Sequence, residues 1–79
     1  MDLNMYESAK IAERIKKTAK ARGIQLKIML EDIGLNKNTL SNMYKGSVPK
    51  ADNLAKIADY LNVSVDYILG RTDKPEVNK

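Results

Sequence analysis

From Glu7 onward, Ile11, Ala12, Ile15 and Ala19 recur at steps of three and four with charged residues between them. This spacing predicts an amphipathic helix running to Arg22. Gly23 follows as a stop, because glycine takes the left-handed conformation that ends helices. A second pattern, Leu26, Met29, Leu30 and Ile33, predicts a helix from Leu26 to Ile33, opened by Gln25 or a neighbour and closed by Gly34. Only Leu35 and Asn36 precede a third helix, Lys37 to Tyr44 or Lys45, with Leu40 and Met43 inward. Asn36 suits its N-cap, since the side-chain oxygen accepts a free backbone N–H. Gly46, Ser47 and Pro49 form a loop. Leu54, Ala55, Ile57, Ala58 and Leu61 then predict a helix over Ala51 to Leu61, terminated at Asn62. Ser64 caps a short fifth helix, Val65 to Leu69, with Asp66 near the positive end of its dipole and Gly70 as its stop.

Five helices and no strand predict an all-α fold, a compact five-helix bundle over residues 1–70. Residues 71–79 are polar, hold Pro75 and lack an apolar period, so a flexible tail is expected there. A chain of 79 residues buries only about 60% of the surface it exposes unfolded, which favours a binding surface over an enclosed active site. It has neither cysteine nor histidine, so disulfides, thiol chemistry, imidazole bases and the usual zinc ligands are missing. The acids are scattered without a phosphate-cradling glycine loop; no enzyme, metal, cofactor or small-molecule ligand is expected. No run approaches the roughly 20 apolar residues that cross a bilayer, and Met1 to Lys10 has no apolar core of a signal peptide. A cytoplasmic protein away from the membrane is the expectation.

The net charge of +4 is less informative than its distribution. Lys10, Arg14, Lys16, Lys17, Lys20, Arg22 and Lys27 face one acid, Glu13, over Lys10 to Lys27. Between Ile33 and Ala51 there are three lysines and no acid, while acids collect at Glu31, Asp32 and beyond Asp52. Either one side of the molecule is basic and meets a polyanion, or the first cluster is an ordinary solvated helix face.

Leu26 to Lys45 reads as a helix-turn-helix unit: two short helices joined by a glycine-containing turn, crossing at a large angle. Met29, Ile33, Leu35, Leu40 and Met43 occupy its apolar places and Gly34 its glycine. Leu30 departs from the pattern, which has a small residue there to let the helices approach. It either alters their crossing or points into space left by neighbours such as Ala55 or Ala58. Three stretches join this unit in order: Tyr44-Lys45-Gly46, Leu54 to Leu61, and Val63 to Gly70. Together with Gly34 to Ser41 they make Ile11 to Gly70 resemble the Cro-type, or xenobiotic-response-element-type, helix-turn-helix family of phage and bacterial repressors.

The resemblance implies a phage-repressor type of DNA-binding domain whose third helix enters the major groove of double-stranded DNA, usually as a homodimer on a two-fold symmetric operator. With Leu40 and Met43 inward, Lys37, Asn38, Ser41 and Asn42 are the candidates for reading bases: asparagine matches adenine N6 and N7, lysine guanine O6 and N7, and serine serves either. Gln25, Lys27, Thr39, Tyr44, Lys45, Ser47 and Lys50 are candidates for the DNA backbone. Thr39 has an alternative, a bond to its own turn. Tyr44 stands where the family more often has a charge, and it either bonds a phosphate or covers the core. Gly46 either lets the loop approach DNA or simply stops the helix. Val63, Tyr67 and Leu69 are candidates for a dimer contact or, alternatively, close the core. The functional expectation is a transcriptional repressor without an appended sensing domain. The alternative is a protein-interaction module, such as an antitoxin or phage accessory factor, with DNA binding secondary.

Overall fold

Each predicted helix forms, and all five end by one device. The computed structural model describes residues 7–76, with α1 (Ser8–Ala21), α2 (Leu26–Asp32), α3 (Thr39–Tyr44), α4 (Ala51–Leu61) and α5 (Val65–Leu69), and no strand among the described residues. After α2, Gly34 turns left-handed (φ 76°) and its N–H donates to the Glu31 carbonyl at 3.1 Å. The Leu35 N–H then donates back to Leu30 at 2.8 Å. This paired closure satisfies carbonyls that the helix end leaves unmatched and brings two apolar residues together. The same two bonds recur after α1, α3, α4 and α5, the left-handed residue of the device being glycine except at Asn62, whose φ is 58°. Asparagine is among the few side chains that enter this region at modest cost.

The start of α3 differs in detail from its expected position. Asn36 does accept a backbone N–H, from Asn38 at 2.7 Å, while its carbonyl receives the Thr39 N–H at 3.0 Å. That second bond spans three residues, so the chain enters through a tight turn and the α-helix begins at Thr39 instead of Lys37. Ser64 caps α5 as expected, its hydroxyl oxygen accepting the Tyr67 N–H at 3.0 Å.

Every helix supplies a fully buried side chain to one core: Ile15 from α1, Met29 from α2, Met43 from α3, Ile57 and Leu61 from α4, and Ile68 from α5. Burying side chains of this size contributes about 1.5–3 kcal/mol each. The longest helix, α1, packs against α3, α4 and α5. Its first turn is pinned to the end of α3 by the buried Ser8 hydroxyl, which donates to the Met43 carbonyl at 2.7 Å. Tyr60 of α4 donates to the Asp32 carboxylate at the end of α2 at 2.6 Å. This bond, followed by desolvation and the carboxylate charge, raises the tyrosine above its ordinary pKa.

Residues 71–76 bend back, and the Ser64 N–H donates to the Pro75 carbonyl at 3.0 Å. Thr72 tightens the bend by accepting the Lys74 N–H at 3.2 Å. Residues 77–79 of the expected tail lie outside the described residues.

Candidate nucleic-acid interface

The outer face of α3 follows from helical geometry. Leu40 and Met43 are buried, so Asn38, Ser41, Asn42 and Lys45, spaced three, four and seven residues from the first, form one exposed stripe. Asn38 is the residue before the first helical turn yet makes no capping bond with its side chain, which leaves its amide available. Lys37 sits on the entry turn beside it, also exposed. The structure thus brings Lys37, Asn38, Ser41 and Asn42 onto one surface.

The rim residues are less uniform. Gln25, Lys27, Lys45, Ser47 and Lys50 are exposed, and Gln25 makes no capping bond with its side chain although it opens α2. The Thr39 hydroxyl donates to the Asn36 carbonyl at 2.5 Å, so its first engagement is with its own turn. Gly46 is left-handed (φ 99°) and closes α3, which is a helix-stop geometry. Val48, in the loop after it, is 68% exposed, the most exposed of the large apolar side chains among the described residues.

Between α1, α2 and α3 lies an open cleft of about 350 Å³ lined by Lys16, Leu26, Lys27, Leu30, Lys37, Asn38, Leu40, Ser41 and Tyr44. Leu30 is 3% exposed and lines this cleft with Leu26 and Leu40. The residue that departs from the family pattern therefore borders open space between the helices. Tyr44 is 42% exposed, and the Lys16 ammonium stands 5.3 Å from the centre of its ring. That separation is within the range of cation–π attraction. Among the described residues no acid lines the cleft.

In the sequence Lys16 is one of the basic run from Lys10 to Lys27, with no feature of its own to single it out. The structure divides that group. Arg14 and Lys17 line a different cleft, of about 600 Å³, together with Thr18, Tyr67, Gly70, Arg71, Thr72 and Asp73. There Arg14 donates to the Leu69 carbonyl at 3.3 Å, and its guanidinium lies so close to Gly70 that a Cβ at that position would sit 2.3 Å from it. The basic cluster from Lys10 to Lys27 is consequently not one surface. Among the described residues the one ion pair is Arg71 with Asp66, at 3.7 Å and exposed to solvent, so Lys16, Lys27 and Lys37 carry no paired carboxylate.

Of the candidates for a dimer contact, Val63 is 1% exposed and belongs to the core. Tyr67 and Leu69 are only partly buried. No helix among the described residues is long and apolar enough to cross a membrane.

A family model of the Cro/C1-type HTH DNA-binding domain matches residues 14–74, more than half of the chain. Two relatives from Bacillus subtilis (strain 168) are similar to it. One, the uncharacterized HTH-type transcriptional regulator YobD, is 35% identical over 65 residues, covering 81% of this chain and 58% of the relative. The other, the HTH-type transcriptional regulator ImmR, is 30% identical over 70 residues, covering 87% of this chain and 55% of the relative. The chain thus spans a little over half the length of these relatives. No solved structure matches.

Proposed function

The chain belongs to the Cro/C1-type HTH DNA-binding domain family, and from that premise we propose that it is a sequence-specific regulator of transcription, a repressor, that reads the major groove of double-stranded DNA with α3. The observation that carries this reading is the exposed stripe of Asn38, Ser41, Asn42 and Lys45, extended by Lys37, within a segment that has no acid from Ile33 to Ala51. Amide, hydroxyl and ammonium groups match the donor and acceptor pattern of base edges in the major groove. Lys37, Asn38, Ser41 and Asn42 read bases. Gln25, Lys27, Lys45, Ser47 and Lys50 hold the DNA backbone, with Thr39 and Tyr44 at the margin. The domain comprises residues up to 70 with the HTH unit at 26–45, and it acts in the cytoplasm.

Two protomers related by a two-fold axis pair through Tyr67 and Leu69, placing their reading helices about 34 Å apart, one turn of DNA. Selection of bound duplexes from a random pool tests both parts. The expected result is a two-fold symmetric consensus; failure to retain any duplex over the input pool would overturn the reading. Asn38→Ala is expected to reduce discrimination between the selected site and a mismatched one by about 1–3 kcal/mol. Equal weakening on selected and random DNA would remove Asn38 from the base-reading set.

A further inference from the structure

Three lysines from three different segments line the cleft beside α3: Lys16 from α1, Lys27 from α2 and Lys37 from the entry turn. Asn38 and Ser41, both on the reading surface, complete its polar lining. None of the three lysines has a carboxylate partner among the described residues, and no acid enters the lining. A flexible lysine on a solvated helix would ordinarily sample many rotamers. Lys16 instead lies over the face of Tyr44, 5.3 Å from the ring centre.

We propose that this cleft seats one phosphate of the DNA backbone, that Lys16 is a donor to it, and that Tyr44 is a positioning residue which holds Lys16 there through the face of its ring. The proposal rests on the DNA-binding reading above and adds α1 to the interface. It also gives Tyr44 a use that depends on its ring, not on its hydroxyl. The ring attracts the ammonium without neutralising it, so the full positive charge stays available to an anion on its open side. A carboxylate in place of the tyrosine would pair with the lysine and cancel that charge.

The experiment measures affinity for a random-sequence duplex by fluorescence anisotropy across a salt series, using the full chain and the variants Lys16→Ala, Tyr44→Leu, Tyr44→Phe and the double change Lys16→Ala with Tyr44→Leu. Removing one phosphate contact should lower the slope of log affinity against log salt by about 0.9. Lys16→Ala is expected to show that loss, with affinity falling roughly three- to fivefold at low salt, on the scale of one released counterion. Tyr44→Leu should reproduce part of the loss, and Tyr44→Phe, which restores the ring without the hydroxyl, should recover it. In the Lys16→Ala background, Tyr44→Leu should add nothing further.

An unchanged slope for Lys16→Ala overturns the phosphate seat. Equal losses from Tyr44→Leu with and without Lys16, or failure of Tyr44→Phe to recover the slope, overturn the positioning role. Circular dichroism at the assay temperature keeps folding separate from binding. If the unaltered chain binds no duplex, the DNA-binding reading itself fails; if it binds and Lys16→Ala binds equally well, only the present inference fails.

Discussion

Arg14 and Lys16 stand two residues apart on α1, and they lie in different clefts with different surroundings. Two steps along a helix turn through about 200°, so neighbours in a basic run need not share a face. Lys16 reaches a cleft that contains lysines, amide and hydroxyl groups and, among the described residues, no acid. Arg14 is bonded to the Leu69 carbonyl and packed on Gly70, in a cleft whose lining includes Asp73. The first arrangement leaves positive charge available beside α3. The second uses a cation to tie the end of α5 to α1. Clusters of like charge along a sequence therefore cannot be translated directly into a surface patch.

The largest test of this contrast is at the apolar lining of the first cleft. Leu30→Ala, at a 3% exposed position, should cost about 2–5 kcal/mol of stability by chemical or thermal denaturation. A loss below about 1 kcal/mol would mean that the helices close around the alanine. At the second cleft, Gly70→Ala places a side chain in the left-handed region (φ 84°) and displaces the Arg14 guanidinium. The expected cost is about 1–2 kcal/mol, with the salt slope of DNA binding unchanged. A change in that slope would show that the second cleft takes part in binding.

A smaller effect separates one lysine of each cleft. Lys27→Gln should lower the slope of log affinity against log salt by up to about 0.9, whereas Lys17→Gln should leave it as it was. Equal changes would erase the distinction between the clefts. The smallest effect concerns neither cleft and serves as a control for stability alone. The raised pKa of Tyr60 means that the folded chain keeps its phenolic proton where the unfolded chain has begun to lose it. Its contribution is fully present below the ordinary value of 10.0 and declines as pH rises above it. Tyr60→Phe should remove that alkaline decline, measured as Tm against pH, without altering DNA binding. An identical decline in the variant would assign it to other groups.

What the sequence by itself determined is what neighbouring residues decide among themselves. The apolar period placed Leu40 and Met43 inward and Asn38, Ser41 and Asn42 outward, and the four glycines with Asn62 marked all five helix ends, because these features depend on bonds spanning three to five residues. The entry to α3 was legible too, apart from the tight turn that delays its first α-helical residue to Thr39. Tertiary structure decided the rest. Ser8 meets Met43 across 35 residues and Arg14 meets Leu69 across 55, and no local pattern encodes which helix lies opposite. The burial of Val63, the return of residues 71–76 onto α5, and the division of Arg14 from Lys16 all followed from how the helices pack. Period and capping are properties of one segment, whereas burial and electrostatic surroundings belong to the assembled set.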